Sequence, residues 1–366
     1  MIYNVKNMKT LFVFNHPAPY KVHVYNELTK ITDIQVIFER IKAKDRPASF
    51  YSENHYDFPV IFLKHGSFDK ENSYSSALRR YIKKHHKEYD LIVMNGYSTI
   101  AEMKAIHYMI KHKIPYVLQI NGGVIRKDKS WKKKLKTYYI SHACKYFSPC
   151  EEADKYLIYY GAKKENIFHY PYANYFEKEI IHSLPSKEEI KAIREQYNLP
   201  NRKIFVNASQ FIERKNNLQL MSLFKDREET LLLIGSGTEK EKYERYISDN
   251  NIKNVILMNF LPKQELFRVL KVCDYFITLS EEDIFGHTTL EAMANGLPVI
   301  SSNRVVSSLD IIKNGENGYL VDLDNEKQII DAINNVNDNM KSHALETAHN
   351  NTIEKSAARL KELIEL

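Results

Sequence analysis

The run EEDIFGHTTLEAMANGLPVISS at residues 281–302 decides how the chain folds. Just upstream, DYFITLS (274–280) carries apolar and β-branched residues that end in polar ones, the pattern of a short buried strand. Gly286 marks a turn, and Thr288 to Ala294 reads as a helix. Leu290, Met293 and Ala294 put its apolar side inward, and Asn295-Gly296 stops it. Leu297 to Ile300, with the breaking Pro298, is the next buried strand. Acidic residues and a Phe-Gly turn therefore lie between the end of a strand and the start of a helix. In a parallel α/β sheet that edge binds ligands, and free N–H groups at a helix start can hold phosphate or sugar oxygens.

The alternation extends in both directions. In the first half, KTLFVFN (9–15), DIQVIF (33–38), DLIVMN (90–95) and Tyr116 to Ile120 read as strands. Amphipathic helices separate them, at Val22 to Lys30, Ser75 to His86 and Thr99 to Lys111. Residues 41–75 are poorly periodic, with one strand at Val60 to Leu63, and Tyr146 to Pro149 ends the last strand expected before the boundary. In the second half KIFVNA (203–208), Thr230 to Ile234 and Val255 to Met258 are strands, each followed by a helix. The helix after the first of these is expected to open at SQFIERKNN (209–217). Ile311 to Leu320 reads as a turn-rich link, and the residues after 342 as helical. Short loops between βα units indicate parallel sheets covered on both faces. At 366 residues the chain is too long for one ordinary core, so two such domains are expected.

The run at 281–302 resembles the donor-sugar motif of retaining GT-B glycosyltransferases of family 4. That motif has two acids eight positions apart around a Phe-Gly, leading into LEAMA-x-G-x-PVI. Here the acids are Asp283, where the family usually has Glu, and Glu291; Glu282 stands beside the first. Taken singly, Asp283 also reads as a helix cap and Glu291 as a solvated acid, but the whole string favours a sugar-nucleotide site. The resemblance implies two Rossmann-like domains facing a cleft: 1–185 on the acceptor side, 186–345 for the nucleotide sugar, and a helix at 346–366 returning toward the first. It implies that Asp283 touches donor-sugar hydroxyls and that Glu291 holds the ribose. Phe285, Gly286, His287, Thr288 and Thr289 would support sugar and phosphate, and Lys215 would hold the diphosphate. The family's Arg five residues before that lysine is Gln210 here, with Arg214 as a possible substitute. Asn259, Phe260 and Leu261 take the position that receives the nucleobase. In Gly235-Ser236-Gly237 a diphosphate contact and a plain turn are equally good readings.

On the acceptor side the resemblance points to the first loop, PAPYK (17–21), and so to Pro19, Tyr20 and Lys21, and to Asn121, Gly122 and Gly123 after a later strand. His16 and His287 receive no base role. DLD (322–324) looks like a metal-binding DxD, but it is expected away from the motif edge and is rejected as a metal site. No cofactor or essential metal is expected; the nucleotide sugar, preferably a UDP-sugar, is a co-substrate.

Charge is unevenly spread. Residues 1–185 carry +12 and residues 186–366 carry −5, within a total of +7. Such a split suggests an anionic partner for the first half. No zinc-finger, KH or RRM signature appears, so a membrane surface fits better than nucleic acid. RKDKSWKKKLKTYYISHACK (126–145) is the most basic segment, with Trp131, Leu135 and Tyr138 on one side if helical. It reads either as a membrane-docking face or as a solvated helix packed through Trp131 and Leu135. Four apolar residues before Asn15 are too few for a signal h-region, no stretch approaches the ~20 needed to span a bilayer, and residues 1–7 read as an extension before Met8. The three cysteines lack metal-like spacing and are expected to be packing residues. The expectation is a cytoplasmic retaining glycosyltransferase, peripheral on the inner face of the membrane, acting on a glycan or lipid-linked acceptor in surface polysaccharide synthesis. A non-catalytic sugar-nucleotide-binding subunit, or an epimerase or phosphorylase on the same architecture, is the alternative.

Overall fold

A computed structural model describes residues 8–43, 48–52, 54–63 and 76–366. The expected extension at 1–7 and residues 64–75 lie outside them. The chain forms two compact units, Met1–Asn174 with Thr352–Leu366, and Tyr175–Asn351.

In the first unit β1 (Thr10–Phe14), α1 (Pro19–Thr29), β2 (Ile34–Phe38) and β3 (Val60–Phe62) are followed by α2 (Ala77–His85), β4 (Leu91–Met94), α3 (Ile100–Lys111) and β5 (Val117–Gln119). Then come α4 (Ser130–Ser141), β6 (Lys145–Ser148), α5 (Glu151–Tyr159) and β7 (Ile167–His169). All neighbouring strands are parallel, in the order β3-β2-β1-β4-β5-β6-β7. The order reverses between β1 and β4, so the loops after these two strands diverge and leave a crevice at their C-terminal ends. Continuous apolar runs such as Leu11–Phe14 are fully or almost fully buried, as a sheet covered on both faces requires. β7 begins the stretch 167–174, which reads as extended beyond the strand expected to be last; it joins the sheet as a seventh strand although its three residues are only partly buried.

The second unit opens with α6 (Lys187–Gln196). It continues through β8 (Ile204–Ala208), α7 (Asn217–Phe224), β9 (Thr230–Ile234), α8 (Lys240–Asp249), β10 (Val255–Met258) and α9 (Lys263–Leu270). The motif region follows, as β11 (Tyr275–Thr278), α10 (His287–Ala294) and β12 (Val299–Ser302). The unit closes with α11 (Val306–Ile311), β13 (Gly318–Val321), α12 (Glu326–Asn335) and α13 (Lys341–His349). Its parallel order is β10-β9-β8-β11-β12-β13, reversing between β8 and β11. The link expected at 311–320 is instead the end of α11, a turn, and the sheet's sixth strand. Phe205, Leu220, Phe224, Leu233, Ile277 and Ile300 form the heart of its core. Full burial of each such side chain contributes about 1.5–3 kcal/mol.

The chain leaves the first unit at Asn174, and Tyr175, fully buried, donates its hydroxyl to Ala348 O on α13 at 3.1 Å. After Asn351 it re-enters the first unit as α14 (Ile353–Glu365), where Thr352 caps the helix by accepting from Lys355 N. Ile353, Ala357, Leu360, Leu363 and Ile364 form its buried stripe, and it packs on α1. Cys150 and Cys273 are buried, whereas Cys144 is exposed and so is not the packing residue expected.

Candidate functional site

The loops after β8 and β11 flank the reversal point of the second sheet, and they are clasped together. SQFIERKNN does not open a helix directly. Glu213–Lys215 form a single 3-10 turn, and Asn216 takes a left-handed conformation (φ 55°) before α7 begins. This turn lets the two neighbouring cations act on one loop. Glu281 N donates to Arg214 O at 2.8 Å, and Arg214 Nη1 donates to Glu282 O at 2.7 Å. Lys215 Nζ forms an ion pair with the carboxylate of Asp283, both side chains being largely shielded, at 11% and 22% exposure. Arg214 thus fastens the loop by its backbone, while Lys215 meets the acid.

A second strap holds Asp283 from the other side. Asp283 N donates to Arg304 O at 3.2 Å, Val306 N to Asp283 O at 3.1 Å, and Ser307 N to Phe285 O at 3.0 Å. The sequence reading did not single out Arg304 to Ser307, because they hold Asp283 and Phe285 through backbone groups. Gly286 shows what the strap demands. Its φ is +83°, and a Cβ there would lie 2.5 Å from Val305 Cγ1. Only glycine accepts that backbone and that approach without strain.

Gly286 is also the residue before α10, and it offers no side chain to cap the helix. No acid stands in the first turn. The positive end of the helix dipole therefore opens beside Asp283. His287 and Thr288 begin the helix, half-buried, with the His287 ring 4.9 Å from the buried Phe285 ring. Thr289 is fully buried and faces Ser308 on α11, so its side chain packs inward. Glu291 is 8% exposed and is not a solvated acid. Its carboxylate lies near Tyr175, whose hydroxyl is pushed well above its usual range by burial first and by Glu291 second.

The remaining donor-side residues lie on the other half of the same edge. Gln210 is exposed after β8. A Cβ on Gly235 would lie 1.9 Å from Ser209 O, and Phe211 N donates to Ser236 O at 2.8 Å. Gly235 is thus required for the loops after β8 and β9 to touch. Asn259 and Phe260 after β10 are exposed, Phe260 by 69%, and Leu261 is half-buried; Lys240 Nζ donates to Asn259 Oδ1 at 2.9 Å. The structure therefore gathers Arg214, Lys215, Glu282, Asp283, Phe285, Gly286 and His287. It keeps Gln210, Gly235 and Asn259 to Leu261 along the β8–β10 side, and turns Glu291 toward Tyr175.

Residues 189–355 match the family described as glycosyl transferases group 1. The second unit is a glycosyl transferases group 1 domain. An N-acetyl-α-D-glucosaminyl L-malate synthase of Bacillus anthracis is 29% identical over 151 residues, 40% of this chain and 39% of that protein. The match thus spans about two fifths of that relative's length. The O-antigen biosynthesis glycosyltransferase WclY of Escherichia coli is 23% identical over 277 residues, 68% of this chain and 72% of the relative. HepE of Anabaena, solved in complex with UDP, superposes with a TM-score of 0.78 at 16% identity, covering 98% of this chain and 100% of that one. The likeness gives the chain its fold, GT-B, with two Rossmann-like domains.

In this group 1 domain DLD (322–324) follows β13, and because every strand is parallel it lies on the same edge as the motif, not away from it. Asp324 pairs with Arg304 at 2.8 Å. Among the described residues no group of three or more His, Cys, Asp or Glu is arranged to hold a metal.

The first unit has its own edge residues. The expected turn at 17–21 is shorter than read: Pro19 already starts α1, and Lys21, in the first turn of that helix, is 2% exposed. Burial pushes the Lys21 ammonium down to about 7. Tyr20 packs edge-on against Tyr172 at 5.6 Å. Asn121, Gly122 and Gly123 follow β5, each half-buried. The sequence reading missed Glu39 and Glu102. Glu39, after β2, accepts from Thr99 Oγ1 at 2.8 Å, while Glu102 closes a capping box with Thr99 at the start of α3. Burial, then the neighbouring Glu102, pushes the Glu39 carboxyl up to about 8. The spacing Thr99-x-x-Glu102 was the available signal.

Proposed function

We propose that the protein is a retaining glycosyltransferase that moves a sugar from a nucleotide sugar, preferably a UDP-sugar, to a glycan or lipid-linked acceptor in surface polysaccharide synthesis. The observation that carries this reading is the pairing of Lys215 with Asp283 beside the uncapped start of α10, at the reversal point of the second sheet. A diphosphate competes with Asp283 for Lys215. When the donor binds, the ammonium turns to the phosphate oxygens and the released carboxylate accepts from sugar hydroxyls. The attraction of one such charge pair at contact is about 4 kcal/mol near a protein surface. The leaving diphosphate gains its negative charge against Lys215 and the α10 N–H groups, which are fixed before the reaction. Asp283 orients the sugar, and Glu291 holds the ribose. The acceptor hydroxyl attacks from the face the diphosphate leaves, with no metal required.

The UDP complex of HepE and the O-antigen role in WclY's name support the donor and acceptor classes. A thermal-shift panel of UDP-, GDP- and ADP-sugars, followed by donor hydrolysis, tests the reading. Stabilisation by UDP-sugars, with slow release of nucleotide that stops in Asp283→Ala, supports it; no response to any nucleotide sugar ends it. Binding without turnover supports the second reading, a non-catalytic subunit, which is favoured by the uncharged Gln210 at the exposed end of β8.

The reading places the protein in the cytoplasm, against the inner face of the membrane. Along α4, Trp131 is 60% and Leu135 37% exposed, so this helix does not pack through them. They stand among the exposed Lys132, Lys133 and Lys134, a combination suited to an anionic leaflet at about 1 kcal/mol per lysine, whereas Lys136 is already paired with Asp128 at 2.7 Å. No helix among the described residues is long and apolar enough to cross a membrane.

A further inference from the structure

Lys21 occupies a setting that packing alone does not call for. It lies in the first turn of α1, directly after the loop that follows β1, one of the two strands between which the first sheet reverses. Three rings surround its ammonium: Tyr172 at 4.9 Å, Phe14 at 5.6 Å and Tyr170 at 5.6 Å. Among the described residues no carboxylate pairs with it, and burial alone accounts for its lowered proton affinity. The titratable groups around it are tyrosines. Tyr170 and Tyr172 face it, Tyr20 packs on Tyr172, and burial holds the hydroxyls of Tyr170, Tyr172 and the adjoining Tyr25 above their usual range. Aromatic faces return part of the lost hydration of a cation, less than a full counter-ion would.

We propose that Lys21 is an anion-binding residue of the first unit, which takes a carboxylate or phosphate group of the second substrate at the mouth of its aromatic box. The substrate class rests on the transferase reading above, which puts the acceptor on this unit; the site itself does not. The anion supplies the missing counter-charge, and the rings shield the pair from water, where the same contact would be weak. A neutral acceptor gains nothing from this group. Phosphate-bearing and carboxylate-bearing acceptors share the required chemistry.

Full-length protein carrying 13Cε-lysine, titrated from about pH 5 to about 10, reads the site directly. Lys21→Met and the charge-preserving Lys21→Arg each remove one resonance and so assign it, and either variant suffices if the other does not fold. The wild-type resonance is expected to titrate near 7. Inorganic phosphate or D-glucuronate raises that midpoint by about one pH unit, a tenfold effect, and D-glucose leaves it unchanged. Whichever anion is effective names the group the acceptor carries. The shift must persist in Lys215→Met, which disables the second unit. A midpoint unmoved by both anions, or moved only when Lys215 is present, overturns the proposal. If UDP-sugars fail to bind while the Lys21 shift remains, the transferase reading falls and the anion site stands.

Discussion

The ammonium of Lys215 and the carboxylate of Asp283 close an ion pair across 68 residues of chain, joining the loops after β8 and β11. Both groups are largely removed from water. Loss of either partner is therefore expected to cost about 1–3 kcal/mol, between an exposed and a fully buried pair. The double variant Lys215→Met/Asp283→Asn should cost less than the sum of the two single ones.

The same pair predicts an asymmetry in ligand binding. Asp283→Asn frees Lys215, so UDP should bind at least as tightly as to the wild type while sugar transfer falls by about a hundredfold or more. Lys215→Met should weaken UDP by at least about tenfold, roughly 1.4 kcal/mol. Calorimetry with UDP and with a UDP-sugar separates the two variants. Equal loss of UDP affinity in both contradicts the proposed exchange of partners.

Gly286→Ala forces a side chain into a left-handed backbone and within 2.5 Å of Val305 Cγ1. A loss of about 1–3 kcal/mol is expected, together with weaker donor binding, because the strap that positions Asp283 shifts. Val305→Ala in the same chain should restore part of the stability, though not the backbone strain. Thermal unfolding of the wild type and the two variants checks this.

Glu39 gives a pH dependence with a definite sign. Its carboxyl is raised from 4.5 to about 8, so between those values the folded chain holds a proton that the unfolded chain releases. Stability from this group is full below about 4.5 and is lost as pH rises toward 8, with a slope of at most about 1.4 kcal/mol per pH unit. Glu39→Gln should flatten that decline. Lys21 acts in the opposite sense: its lowered affinity makes stability rise from about 7 to 10.5, a rise that Lys21→Met removes. Melting curves across this range read both effects.

Docking of α4 to membranes predicts binding to anionic vesicles that weakens as salt rises, and none to neutral ones. Trp131→Ala and Lys132→Glu/Lys133→Glu should each reduce co-sedimentation, with the charge variant also losing the salt dependence. Equal binding by the wild type and both variants would reject the docking face.

The sequence displays the second unit more clearly than the first, for physical reasons. The strand before the motif and the helix within it carry continuous apolar spacing, and the Phe-Gly turn requires a glycine that the structure explains through Val305. Two edge strands were harder to read: β7 is only partly buried, and β13 opens at Gly318 directly after the turn-forming residues Asn314 to Asn317. Arg214 and Lys215 seemed to share a helix, but the left-handed Asn216 breaks it and sends both side chains to one loop. Trp131 read equally well as a buried anchor, and only its exposure separates the two accounts. The environments of Lys21, Glu39 and Glu102 were invisible, because residues distant in sequence create their burial.

The return of α14 to the first unit makes that domain discontinuous: its opening and closing segments bracket the whole of the second. On the ribosome, α1 would wait uncovered while residues 175–351 are made, exposing apolar surface to chaperones until the last helix emerges. A nonsense codon near Asn351 would spare the second domain's own residues, yet leave the first unable to finish its core.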